Sequence, residues 1–120
     1  MSMELHIFFA KHTVPDIGQW QAAIDSLGFD VKLDPATNVA TDTGFLPATM
    51  NGRASGFEID IGPADELSEA YSGILAAVSG FDTTGNFRWG GRLDEMACAM
   101  AAAAALASLS GGIWFDPQEG

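Results

Sequence analysis

Apolar positions fall into short blocks whose spacing changes along the chain. Glu4 to Ala10 is a compact aromatic and aliphatic run and reads as a buried strand. Thr13 then offers a hydroxyl cap with Asp16 three residues on, and Pro15 sits where its missing N–H costs nothing. Ile17, Trp20, Ile24 and Leu27 follow at helical spacing, and Gly28 suits the residue after a helix end. From Phe29 to Asp34 the pattern alternates, with Phe29, Val31 and Leu33 inward and Asp30, Lys32 and Asp34 outward. Strand, helix and strand of these lengths make a βαβ candidate.

After a polar loop, Phe45–Met50 and Arg53–Ile61 flank Asn51-Gly52, a pair that supplies the two positive φ angles of a type I′ hairpin. Pro47 predicts an edge or irregular position for the first arm. Asp65 to Ser79 has helical spacing at Leu67, Tyr71, Ile74 and Val78. Phe81 to Gly85 reads as a turn, Asn86 to Trp89 as a short strand. Leu93 to Leu109 reads as a helix with a stripe of Leu93, Met96, Ala97, Met100, Ala104 and Ala107. Gly112 to Asp116 predicts a last strand. The expected architecture is a single-domain α/β (α+β) sandwich over residues 1–120. It has a mixed sheet of five or six strands and about three helices mainly on one face.

Composition adds a strong charge asymmetry. Five Lys and Arg stand against sixteen Asp and Glu, a formal net charge of -11, while 48% of residues are hydrophobic. The apolar fraction supports a packed core. The charge opposes binding to nucleic acid or anionic membranes, whose affinity rests on Lys and Arg. It favours encounter with a basic protein. The apolar run Met96 to Leu109 is shorter than the roughly 20 residues of a membrane span, and the N-terminus has no basic, apolar leader pattern. Cytoplasm is the expected compartment. Cys98, the one cysteine, reads as a buried, inert thiol.

No phosphate-binding, dinucleotide or nucleophile-elbow motif occurs. His6 and His12 have no metal-ligand spacing around them, so neither a metal nor a cofactor is expected. Glu58 and Asp60 project from one strand face about 7 Å apart. They are the best acid/base pair and, with Asp65, Glu66 and Glu69, a candidate acidic patch. Arg88 and Arg92 bracket Trp89. Of Trp114 and Phe115, one must face away from the core.

Two stretches also carry a resemblance. Gly44-Phe45-Leu46-Pro47 runs through Asn51-Gly52-Arg53 to Gly56-Phe57-Glu58. Phe87-Arg88-Trp89-Gly90-Gly91 leads through Glu95 and the run Ala101 to Ala107 to Gly111-Gly112-Ile113-Trp114-Phe115-Asp116-Pro117-Gln118-Glu119-Gly120. Together they resemble small bacterial proteins of unassigned role, some similar to immunity proteins of polymorphic toxin and contact-dependent inhibition systems. The resemblance implies an interaction protein and brings no site residues with it.

Two functional expectations follow. In the first, a non-enzymatic acidic protein binds a basic partner, such as a toxin domain, through Glu58, Asp60, Asp65, Glu66 and Glu69, anchored by Trp89 or Trp114. In the second, a small enzyme or ligand-binding domain has a pocket lined by Trp20, Tyr71, His6 or Arg88. A homodimer or larger homo-oligomer is a further possibility.

Overall fold

The computed structural model describes residues 3–39, 41, 43–63, 82–90 and 93–115. Among these, β1 (Met3–Phe9) leads through a 3₁₀ turn (Lys11–Thr13) to α1 (Ile17–Ser26). Then come β2 (Val31–Leu33), β3 (Gly44–Met50), β4 (Arg53–Pro63), β5 (Thr83–Trp89), α2 (Leu93–Ser110) and β6 (Ile113–Phe115). The helix expected over Asp65 to Ser79 lies outside the described residues.

The six strands form one sheet in the order β2-β3-β4-β5-β1-β6. All five neighbour pairings are antiparallel. β1, β2 and β4 therefore run in one direction and β3, β5 and β6 in the other, and three strands separate β1 from β2. The predicted βαβ unit is therefore not a pair of adjacent strands: α1 carries the chain from one side of the sheet to the far edge.

Both α-helices pack on one face. Leu5, Ile7 and Phe9 of β1, Phe87 and Trp89 of β5, Phe57 and Ile59 of β4, and Leu46 of β3 meet Trp20 and Ile24 of α1 and Leu106 of α2 in one core cluster. Helix α1 starts at Asp16 rather than Thr13. The Asp16 Oδ1 accepts from the Gln19 backbone N–H at 2.7 Å, and Gln19 Oε1 accepts from the Asp16 N–H at 3.0 Å. This reciprocal box outcompetes Thr13, whose hydroxyl instead donates to the Ala10 carbonyl within the 3₁₀ turn.

Helix α2 buries a different stripe from the expected one. Cys98, Ala99, Ala101, Ala102, Ala103, Ala105 and Leu106 are buried, whereas Leu93 is 76% exposed and Met96 and Met100 are only half-buried. The helix is apolar on nearly every side, so periodicity alone does not select a face. Close approach does: the flat alanine side lies against α1 and the sheet, and Gly85 of β5 leaves room there for Leu106. By length and composition α2 is apolar enough to cross a membrane. Burial pushes the Cys98 thiol up to about 11, and Asp94 and Glu95 nearby act the same way against a lowering contact from Ser55, so the group is protonated at neutral pH.

The hairpin turn has Asn51 at φ 53° and Gly52 at φ 79°, as a type I′ turn requires. Pro47, however, lies in an inner strand. Its carbonyl accepts from the Asp34 N–H at 3.1 Å, just past the end of β2. The Asp34 carbonyl, which would face an N–H at position 47, accepts from the Thr37 N–H at 3.1 Å instead, so the proline leaves no carbonyl without a partner there. The turn expected at Phe81 to Gly85 is likewise strand from Thr83 onward, because β5 is held by β4 on one side and β1 on the other. Phe29, expected inward, is 41% exposed because β2 begins only at Val31.

Candidate functional site

The register of the three central strands builds the site. Residues paired across an antiparallel ladder share a face. On the face away from the helices, Asp60, Asn86 and His6 form one row across β4, β5 and β1, and Glu58, Arg88 and Glu4 form the next. Polar residues at every second position of three adjacent strands therefore converge on one patch.

The patch closes into a ring of contacts. Asn86 Nδ2 donates to Asp60 Oδ1 at 2.6 Å, and Asn86 Oδ1 faces His6 Nδ1 at 2.6 Å. A carboxylate can only accept, so it fixes the amide nitrogen on its own side and turns the amide oxygen to the histidine. His6 Nδ1 must then carry the hydrogen of that bond. Thr84 Oγ1 donates to the same amide oxygen at 3.3 Å. His6 Nε2 lies 3.7 Å from Glu4 Oε1, Glu4 Oε2 lies 3.7 Å from Arg88 Nε, and Arg88 Nη1 lies 4.0 Å from Asp60 Oδ2. These ion-pair distances exceed hydrogen-bond length, and the Arg88 pairs are partly solvated, so each contributes about 0–1 kcal/mol. The short amide bonds hold the arrangement more firmly.

Burial is graded across the patch. His6, Thr84 and Phe8 are buried, Asp60 and Asn86 are half-buried, and Glu58 and Arg88 are exposed. Among the described residues the accessible part thus carries Glu58, Asp60 and Glu4 against the Arg88 guanidinium. Among the described residues no group of three His, Cys, Asp or Glu side chains is placed to hold a metal ion. The ring can present negative charge in a fixed geometry, and it ties β4, β5 and β1 together.

The predicted site residues divide accordingly. Glu58 and Asp60 share the patch. Asp65, Glu66 and Glu69 lie outside the described residues, as do Tyr71 and Arg92. Trp89 is corrected: it is 7% exposed and packs in the core on the helix side, because its register partner Met3 faces that way. It offers no surface anchor. Trp114 is 39% exposed but pairs with Ile7, so it also sits on the helix side, on the edge strand, away from the carboxylates. Of the expected pocket lining of Trp20, Tyr71, His6 or Arg88, Trp20 lies beneath the helices while His6 and Arg88 lie on the other face, so these three described residues do not line one pocket together, and Tyr71 lies outside the described residues. Sequence reasoning missed Glu4, Thr84 and Asn86. Their alternation with Leu5, Gly85 and Phe87 was the available signal.

Asn86→Ala should lower stability by about 1–3 kcal/mol, because Asp60 and His6 each lose a partner in a half-buried setting. Urea denaturation checks this; a loss within error of zero would mean that water replaces the amide at no cost.

No protein-family model matches the chain, and no curated protein or solved structure matches it.

Proposed function

We propose that this chain is a non-enzymatic, cytoplasmic binding protein that neutralises a basic protein domain, as an immunity protein neutralises a toxin. The contact surface is the sheet face carrying Glu4, Glu58 and Asp60. The observation that carries the reading is the convergence of those three carboxylates, from two strands that β5 separates, on one face of a chain with net charge -11. Charge of one sign on a rigid sheet raises the association rate of an oppositely charged partner and disfavours nucleic acid and anionic membrane. The resemblance of the hairpin and C-terminal stretches to immunity proteins supports the same class. Asp65, Glu66 and Glu69, expected from the sequence to extend the acidic surface, lie outside the described residues.

The test uses the product of the neighbouring reading frame. Calorimetry at two salt concentrations should give tight binding that weakens as salt rises. The double variant Glu58→Lys, Asp60→Lys should slow association by roughly tenfold or more and flatten the salt dependence. An unchanged on-rate and salt slope would remove this face from the interface.

A further inference from the structure

An exposed aromatic ring stands beside the carboxylates of the sheet face. Phe45 of β3 pairs with Glu58 of β4, so the two side chains share that face. The Pro47 carbonyl turns toward Asp34, just past β2, and the backbone groups of Phe45, two residues earlier, turn the same way. Phe45 and Glu58 therefore exchange no ladder bonds with each other. Such pairs are the closer kind, with Cα atoms about 4.5 Å apart. Glu58 is exposed, and so is 59% of Phe45, although one side of its ring lies over Gly56. Among the described residues the Glu58 carboxylate makes no ion pair or hydrogen bond: Arg88, its partner on β5, reaches Glu4 and Asp60 instead. At the outer edge of β3, Phe45 also lines a recess of about 220 Å³ that holds a second carboxylate, Asp34.

We infer that Phe45 and Glu58 form the seat for an arginine side chain of the basic partner, an inference that rests on the function proposed above. The two groups restrict what can be held there. An uncharged apolar group laid over the ring would strip water from the adjacent carboxylate and leave it unpaired, which is costly. An anion would be repelled by Glu58 and, in the recess, by Asp34. A cation satisfies both groups, because the electron-rich ring face attracts it and the carboxylate neutralises it. Guanidinium suits the pair better than ammonium. It is flat, so it can stack on the ring while its N–H edge reaches the carboxylate, and it is more weakly hydrated, so less is lost when it leaves water. Covering Gly56 occupies one side of the ring and leaves the other to a partner. Phe45 thus supplies the aromatic anchor that Trp89, buried beneath the helices, does not.

The probes are capped tetrapeptides of arginine, of lysine and of citrulline, the last an uncharged isostere of arginine. Each is titrated into the full chain and followed by amide and aromatic-ring shifts. The arginine peptide should move the Phe45 ring signals and the amides of residues 44–46 and 57–59, the lysine peptide should bind more weakly, and the citrulline peptide should not bind. Phe45→Leu should weaken the arginine peptide by about two- to fivefold, and Phe45→Trp, which keeps a ring over Gly56, should tighten it. The order Trp, Phe, Leu is one that a merely structural cover would not produce. Glu58→Gln should also weaken binding, and its effect should shrink as salt rises, whereas that of Phe45→Leu should persist. Equal affinity for the arginine and citrulline peptides, shifts confined to other carboxylates, no shift at millimolar peptide, or indifference to both Phe45 variants would overturn the inference. The partner reading fails separately. A salt-sensitive complex with the neighbouring gene product that Phe45→Leu leaves intact would sink the seat alone, while arginine-peptide shifts at Phe45 without any such complex would sink the proposed partner and leave the seat standing.

Discussion

Replacing Trp20 by alanine should cost about 3–5 kcal/mol of unfolding free energy, a large share of the roughly 5–15 kcal/mol of an ordinary domain. The indole is fully buried. It meets Phe57 edge-on at 6.4 Å and Phe87 at 6.1 Å, and those two rings lie 5.4 Å apart beneath it. Its Nε1–H donates to the Ala102 carbonyl at 2.9 Å, so one side chain joins α1 to α2 and both to the sheet. Alanine removes the aromatic contacts and opens a cavity among residues from three elements, which cannot collapse together. Trp20→Phe separates the contributions. It keeps most of the ring packing and loses the hydrogen bond, worth about 1 kcal/mol, plus the volume difference. Denaturant midpoints of the two variants, with the slope unchanged, provide the measurement. A loss below about 1 kcal/mol for Trp20→Ala would show that α1 does not rely on this contact.

Trp20 was legible in the sequence because its helix has a clear polar side. Ile17, Trp20 and Ile24 alternate with Gln19, Gln21 and Asp25, and only one orientation buries the first set. Helix α2 has no such contrast. With alanine at most positions, the larger Leu93, Met96 and Met100 attract a size-based reading, yet Leu93 is exposed and Met96 and Met100 are only half-buried, because the neighbouring helix and sheet demand flatness. The same limit applies to strands. The Asn51-Gly52 hairpin is a local event and was readable. The extension of β5 back to Thr83 is imposed by its neighbours β4 and β1, which local turn residues such as Gly85 conceal.

The candidate site shows this division in one place. Glu58 and Asp60 were readable as a pair because two-residue spacing on a strand is a local fact. Their meeting with Asn86 and His6 depends on strand order, which brings residues 4–6, 58–60 and 86–88 side by side across long separations in the chain. A single sequence supplies alternation within each strand but not which strands are neighbours. Trp89 failed as a surface anchor for the complementary reason: its alternation placed it with Phe87, and the face they share turned out to be the one beneath the helices.

Gly56→Ala should be the most damaging single-methyl addition in the sheet, lowering stability by about 2–4 kcal/mol. Gly56 has φ 147°, a conformation that side-chain-bearing residues rarely adopt. An added Cβ would stand 2.4 Å from Phe45 Cζ and 2.5 Å from the Leu46 carbonyl oxygen. Both neighbours belong to β3, the partner strand of the hairpin. The ring of Phe45, 59% exposed, therefore lies over the bare glycine and covers backbone that would otherwise meet solvent. The two clashes differ in how they can be relieved. Phe45 can swing away at the expense of that cover, but the Leu46 oxygen is fixed in the ladder. The double variant Phe45→Ala, Gly56→Ala should consequently recover only part of the loss, because the backbone contact and the φ strain persist. Thermal or urea unfolding of the two single variants and the double forms a closed cycle. Full recovery in the double variant would show that the aromatic ring alone excludes a side chain at this position. No recovery would place the whole cost in the backbone.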